Sequence, residues 1–186
     1  MNMIDELATL FATRGAAAEH GEAVSRREHA LQAARLAELE GADPALIAAA
    51  LLHDVGHLLS NPDEPRAQAG QDQDQDDRHE AAGADWLAAC FDPDVVEPIR
   101  LHVDAKRFLC AARPDYLARL SPSSVKSLAR QGGPMSADEA ERFEALSYSH
   151  DAVRLRRWDD EAGVPALDVP DFNHYRPILE SLILRE

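Results

Sequence analysis

Asp43-Pro44-Ala45-Leu46-Ile47-Ala48-Ala49-Ala50-Leu51-Leu52-His53-Asp54-Val55-Gly56-His57 is the stretch on which the fold turns. Asp43 is a helix cap, and Pro44 falls in the first turn, where its missing N–H costs nothing. From Ala45 to Leu52 every residue is apolar, so the predicted helix is wet on no side and belongs at the centre of the protein. Three potential metal ligands follow within five residues. His53 and Asp54 are adjacent and point in different directions, so one imidazole and one bridging carboxylate can come from consecutive positions. His57, four residues after His53, is expected on the same helical face. Burying an acid beside histidines is costly unless a cation compensates.

Outward from this stretch the pattern stays helical. Ile4, Leu7, Leu10 and Phe11 predict a helix over 3–13 that stops at Gly15. Ser25-Arg26-Arg27-Glu28 has the form of a capping box and opens a helix carrying His29 to about Glu40. Further helices are expected over 78–90 with His79 at the start, over 95–109 with His102 and Lys106, and from Ser121-Pro122 to about Arg130. Gln131-Gly132-Gly133-Pro134 breaks the chain, and Ser136-Ala137-Asp138-Glu139 is a second capping box. Two more helices, over 150–161 and about 171–184, complete the set. No segment alternates as a strand does. The expectation is an all-α fold, one domain over 1–186 with its core at about 21–165, built as an irregular orthogonal bundle. Residues 60–77, with Gln71-Asp72-Gln73-Asp74-Gln75-Asp76-Asp77 inside them, form a polar low-complexity loop without the spacing of an EF-hand.

Composition narrows the function. Apolar residues make up 45% of the 186, enough for a core, and the formal net charge is −15. That charge disfavours nucleic acid and anionic membrane surfaces as partners. A small anion remains open, since local cations can oppose the net field. Cys90 and Cys110 make no CxxC motif and are expected as free thiols. The N-terminus has no signal-peptide pattern, and no apolar run approaches the roughly 20 residues of a membrane span. A cytoplasmic location is expected.

The order His29, His53-Asp54, Asp159 resembles the HD-domain superfamily, named for its adjacent His-Asp pair. His79 and His102 resemble the subset with a second metal position. The resemblance is strongest to the mixed-valent diiron oxygenases of phosphonate catabolism. It runs through Gly21 to Gln32, His53 to His57, Arg78-His79-Glu80, His102 to Lys106, Ser121 to Ser136 and Arg154 to Asp160. It implies that His29, His53 and Asp159 hold one iron, that His79 and His102 hold the other, and that Asp54 bridges them. Two iron ions, Fe2+/Fe3+, are the implied cofactor, with manganese or another divalent metal as the alternative. Imidazole and carboxylate ligands suit these ions.

Lys106 lies four residues after His102, so both project from one face. With Ser124 at a helix start, Gln131 and Arg156, it matches the family's phosphonate-contacting positions. His57 joins this substrate-binding group, and Glu22 matches the carboxylate that receives a substrate ammonium group. Where the family carries a tyrosine that caps the second iron, this chain has Ala18-Glu19-His20-Gly21-Glu22. Glu19 falls at the tyrosine position, and Glu19 or His20 is the candidate substitute cap; both are equally compatible with inert loop residues. A lysine common after the late aspartate is replaced by Gly163.

The implied activity is oxidative cleavage of the carbon–phosphorus bond of a small α-hydroxyphosphonate, amino- or ammonium-bearing, by O2, in a monomer or homodimer. The chief rival is a metal-dependent HD phosphohydrolase acting on a nucleotide or phosphate monoester. A third reading is a metal-holding domain without turnover. Lys106, the Gln131 segment and Arg156 separate the first from the second.

Overall fold

The computed structural model describes residues 2–16, 23–59 and 78–184. The expected loop at 60–77 and residues Glu19, His20 and Glu22 lie outside them. Within the described residues the chain forms α1 Met3–Thr13, α2 Arg26–Leu39, α3 Pro44–Leu52, α4 Val55–Leu59, α5 His79–Leu87 and α6 Pro93–Ala112. The rest are α7 Pro114–Leu117, α8 Pro122–Arg130, α9 Ala137–Glu144, α10 Ser149–Glu161 and α11 Phe172–Leu182. No strand occurs among them; Phe91 and Ile183 make one isolated antiparallel bridge. The all-α expectation holds.

The caps act where the sequence puts them. Ser25 and Glu28 close a capping box on α2, Ser136 and Glu139 close another on α9, and the Asp43 side chain accepts from the Leu46 amide at the start of α3. Such caps contribute about 1 kcal/mol each. α3 packs against α2, α6, α10 and α11. All its residues from Leu46 to Leu52 are buried, Leu51 and Leu52 completely. Each leucine so buried contributes roughly 1.5–3 kcal/mol. Leu7, Phe11, Leu87, Ile99, Leu155, Trp158 and Leu179 close the same core from α1, α5, α6, α10 and α11.

Two features depart from the expectation. The helix after Asp43 does not continue through His57: α3 ends at Leu52, His53 and Asp54 form a turn, and His57 belongs to α4. The His53 ring takes the Ala50 carbonyl (Nδ1 to O 2.8 Å), which in an unbroken helix would accept from the amide of residue 54. α7, a single turn carrying the buried Tyr116, has no counterpart in the sequence reading.

α4 rests unusually close to α5. A Cβ on Gly56 would lie 2.0 Å from the His79 carbonyl oxygen, so only glycine permits this approach. At the far end of α10 the buried Gln32 of α2 clamps the exit: its Nε2 donates to Val164 O, and its Oε1 accepts from the amides of Gly163 and Val164, all at 2.8 Å. The last turn of α10 is thereby held beside α2. No helix among the described residues is long and apolar enough to cross a membrane.

Candidate metal centre

The six side chains named for metal binding converge from five helical segments onto the end of α3. Asp54 divides its carboxylate between two groups. Its Oδ2 lies 3.5 Å from His53 Nε2, and its Oδ1 lies 3.3 Å from His79 Nε2 and 4.0 Å from His102 Nε2. On the Oδ2 side, Asp159 Oδ1 is 3.0 Å from His29 Nε2 and 3.5 Å from His53 Nε2. On the Oδ1 side, the Nε2 atoms of His79 and His102 are 3.3 Å apart. The result is two adjoining nests of imidazole nitrogen and carboxylate oxygen, with Asp54 common to both.

The imidazoles are oriented for inward donation. His53 Nδ1 donates to Ala50 O, and His102 Nδ1 donates to Ile99 O at 2.7 Å. With the proton on Nδ1, each Nε2 lone pair faces the centre. His53 Nε2 is completely buried and makes no hydrogen bond among the described residues. Lone pairs and carboxylates gathered this closely repel one another unless a cation lies between them. The donor set therefore fits a metal, and imidazole with carboxylate suits iron, manganese or zinc.

The charges agree. Burial raises the Asp54 carboxyl, but His53 and His79 outweigh it and hold the group well below the usual carboxylate range. Burial likewise raises Asp159, and Arg156, His53 and His29 hold it well below that range. Burial lowers His53, yet Asp54 and Asp159 outweigh it and lift the group to about 9. Burial, then His79 and His53, push His102 well below the ordinary imidazole value, which keeps it a neutral donor.

His57 does not share a helical face with His53. Its ring stacks on His79, with centroids 3.9 Å apart and planes within 13°. A ligand atom of His57 lies within 4.8 Å of ligand atoms on Asp54 and His79. Proximity alone would make it a ligand beside His79, but the stack argues otherwise. A metal lies in the plane of the imidazole that binds it, and two nearly parallel stacked planes share no such point. His57 covers His79 and borders the centre.

Two of the expected anion-binding residues, Lys106 and Arg156, lie beside the Asp159 nest. Lys106 is 3% exposed and donates to Ser127 Oγ at 2.8 Å. Burial, then Arg156, pushes its ammonium down to about 8. Arg156 is buried, with Nη1 2.7 Å from Asp159 Oδ2. The Oε1 atom of Gln131 is buried and meets no hydrogen-bond donor among the described residues. Ser124 lies in the first turn of α8, as expected. Its amide already donates to the cap residue Ser121 (3.1 Å), and its hydroxyl accepts from Ser121 at 3.0 Å. The serine that meets Lys106 is Ser127, one turn on, whose hydroxyl donates to Ser124 O. The sequence reading missed Ser127, although it follows Ser124 at helical spacing. It also missed Glu80, 3.6 Å from His79 Nδ1, and Tyr116, beside Arg156.

An all-α bundle presenting an adjacent His-Asp pair, the His buried and the Asp half-buried, at the end of its central helix defines the HD class. Residues 26–130 match the HD domain family, more than half of the chain, and the chain belongs to that family. It is 46% identical over 165 residues to a hydroxymethylphosphonate dioxygenase of Gimesia maris, a match covering 88% of this chain and 80% of that protein. It is 38% identical over 183 residues to a [1-hydroxy-2-(trimethylamino)ethyl]phosphonate dioxygenase (glycine-betaine-forming) of Leisingera caerulea, covering 98% and 91%. It is also 31% identical over 178 residues to the uncharacterized protein L432 of Acanthamoeba polyphaga mimivirus, covering 95% and 80%.

Proposed function

We propose that this protein is a diiron dioxygenase that cleaves the C–P bond of a small α-hydroxyphosphonate, releasing phosphate and a carboxylic acid. The observation that carries this reading is the divided Asp54 carboxylate, one oxygen toward His53 and the other toward His79 and His102. Two of the relatives named above are dioxygenases of such phosphonates. His29, His53 and Asp159 would hold one iron, His79 and His102 the other, and Asp54 both. Bound there, the pair would supply Lewis acidity and the electron transfers needed to reduce dioxygen.

The chain's own residues supply position and charge. Lys106 and Arg156 are buried cations, and a phosphonate dianion at their side offsets the burial of both. Ser127 fixes the Lys106 ammonium, and Gln131, the C-cap of α8, would add its side-chain amide to the anion site. Asp159 links the two functions, with Oδ1 toward His29 and Oδ2 toward Arg156. A phosphonate held by Arg156 would therefore sit next to the metal ligands, which would bring its C1 close to the metals. Cleavage breaks the C1–H and C–P bonds, and the two oxygen atoms of O2 balance the acid and the phosphate formed. One O2 is therefore consumed per phosphate released.

The test is an oxygen electrode and a phosphate assay on anaerobically iron-loaded protein given hydroxymethylphosphonate and its amino- and trimethylammonium-bearing relatives. Equal oxygen uptake and phosphate release from at least one of them is expected. Anaerobic phosphate release from a nucleotide, with no oxygen uptake on any phosphonate, would overturn the reading.

A further inference from the structure

Asp159 and Asp160 are consecutive on α10 but have separate roles. Asp159 faces His29 and His53. Asp160 turns toward Arg156 and Tyr116 and enters a closed ring with them. Arg156 Nε donates to the Tyr116 hydroxyl at 3.3 Å, that hydroxyl donates to Asp160 Oδ2, and Asp160 Oδ1 accepts from Arg156 Nη2. Nε and Nη2 form one edge of the planar guanidinium, so that edge is closed by a matched pair of acceptors.

The ring lies where four helices meet. Arg156 and Asp160 share a face of α10 at i and i+4. Tyr116 comes from α7, packed with Leu109 and Cys110 of α6 and Leu128 of α8. Burial raises the Tyr116 phenol, so it remains a donor. Asp160 shares the charge of Arg156 with Asp159, whose Oδ2 meets Nη1 and whose Oδ1 faces His29. Of the five guanidinium N–H groups, the Nε one goes to Tyr116, one on Nη2 to Asp160 and one on Nη1 to Asp159. That leaves one N–H on each terminal nitrogen to donate to an anion.

We infer that Tyr116 and Asp160 are positioning residues: they grip Arg156 by one edge so that its terminal nitrogens are presented to a phosphonate. This inference rests on the function proposed above. The ring residues need not touch substrate themselves.

The experiment compares wild type, Tyr116→Phe, Asp160→Asn and the double variant, each iron-loaded anaerobically. Iron content and melting temperature are measured first. Calorimetric titration with methylphosphonate, which lacks the reacting hydroxyl, then gives anion affinity. Losing a hydrogen bond to a charged group is expected to weaken methylphosphonate binding about tenfold in Tyr116→Phe and to raise KM for hydroxymethylphosphonate by a similar factor. Iron content should equal wild type, and kcat should stay within about twofold. Because the ring acts as a unit, the double variant should bind little worse than either single one. Wild-type affinity in Tyr116→Phe, additive losses in the double variant, or loss of iron with unchanged affinity would each overturn the inference. If Tyr116→Phe does not fold, unchanged affinity in Asp160→Asn does the same. Wild-type protein that binds no methylphosphonate and takes up no oxygen would sink the proposed function itself, an outcome distinct from a Tyr116 variant that merely behaves like wild type.

Discussion

At the scale of single residues, the most revealing group is Lys106, a buried ammonium whose one hydrogen bond among the described residues goes to a serine. Its value falls from 10.5 to about 8, chiefly through burial and then through Arg156. A lysine lowered on folding takes up protons more readily in the unfolded chain between those two values. Stability should therefore rise as pH climbs from about 8 to 10.5, with the full penalty, on the order of 3 kcal/mol, present below that window. Lys106→Met should remove the penalty. The variant is expected to be more stable than wild type at pH 7 by up to about 3 kcal/mol in urea unfolding, with the gain vanishing by pH 10.5, and to lose methylphosphonate binding. A variant no more stable than wild type at pH 7 would show that Lys106 is better solvated than its surroundings indicate. The sequence identified this lysine through its spacing from His102. It could not identify Ser127 or Tyr116, because a serine inside a helix and a tyrosine in a single turn carry no local pattern that distinguishes them from their neighbours. Only the folding of α7 and α8 against α6 brings them to Lys106 and Arg156.

At the scale of elements, capping chemistry made helix starts legible, since Ser25, Asp43, Ser121, Ser136 and Asp171 each accept from the first turn of the helix that follows. The break between α3 and α4 was not legible. His53-Asp54-Val55-Gly56-His57 extends an apolar helix without proline, and the turn at His53 and Asp54 is visible only in three dimensions. That break separates the roles of the two histidines: His53 enters the centre, while His57 rides on α4 and stacks on His79. Gly56 makes the arrangement possible. A methyl group there would meet the His79 carbonyl oxygen at 2.0 Å and its carbon at 2.8 Å, and these backbone atoms cannot move aside as a side-chain tip can. Gly56→Ala should force α4 and α5 apart, at roughly 1–3 kcal/mol in stability, and draw His79 away from Asp54. Iron analysis should then show the content per chain cut to about half, the Asp159 nest being untouched. Full metal content in this variant would mean that α5 shifts without disturbing its first residue, and the two-nest description would need revision.

At the scale of the whole molecule, the net charge of −15 pointed away from nucleic acid, and the structure shows how a local exception is built. Lys106 and Arg156 are buried beside Asp159 and Asp160, so their charge acts over a short range and is little screened there. The same core that buries α3 carries His53 and Asp54 at its end, so metal binding and folding are linked. In protein stripped of metal by a chelator, His53 has its value raised from 6.5 to about 9 by Asp54 and Asp159 against its burial. A group raised on folding contributes stability that is complete below about 6.5 and is lost as pH rises through 9. Bound metal competes with that proton, so its stabilising effect runs the other way and grows over the same interval. Ferrous ion at about a hundredfold its dissociation constant adds about 2.7 kcal/mol, which for a chain of this size raises the melting temperature by about 5–10 °C. The expected result of anaerobic melting curves is a gap between loaded and chelated protein that widens from pH 6.5 toward 8.5. Within that range the chelated protein itself becomes less stable through His53. A gap independent of pH would mean that His53 carries no proton in the stripped protein and that Asp54 and Asp159 are balanced by another cation. Convergence of the two curves at every pH would mean that these six side chains do not bind the ion.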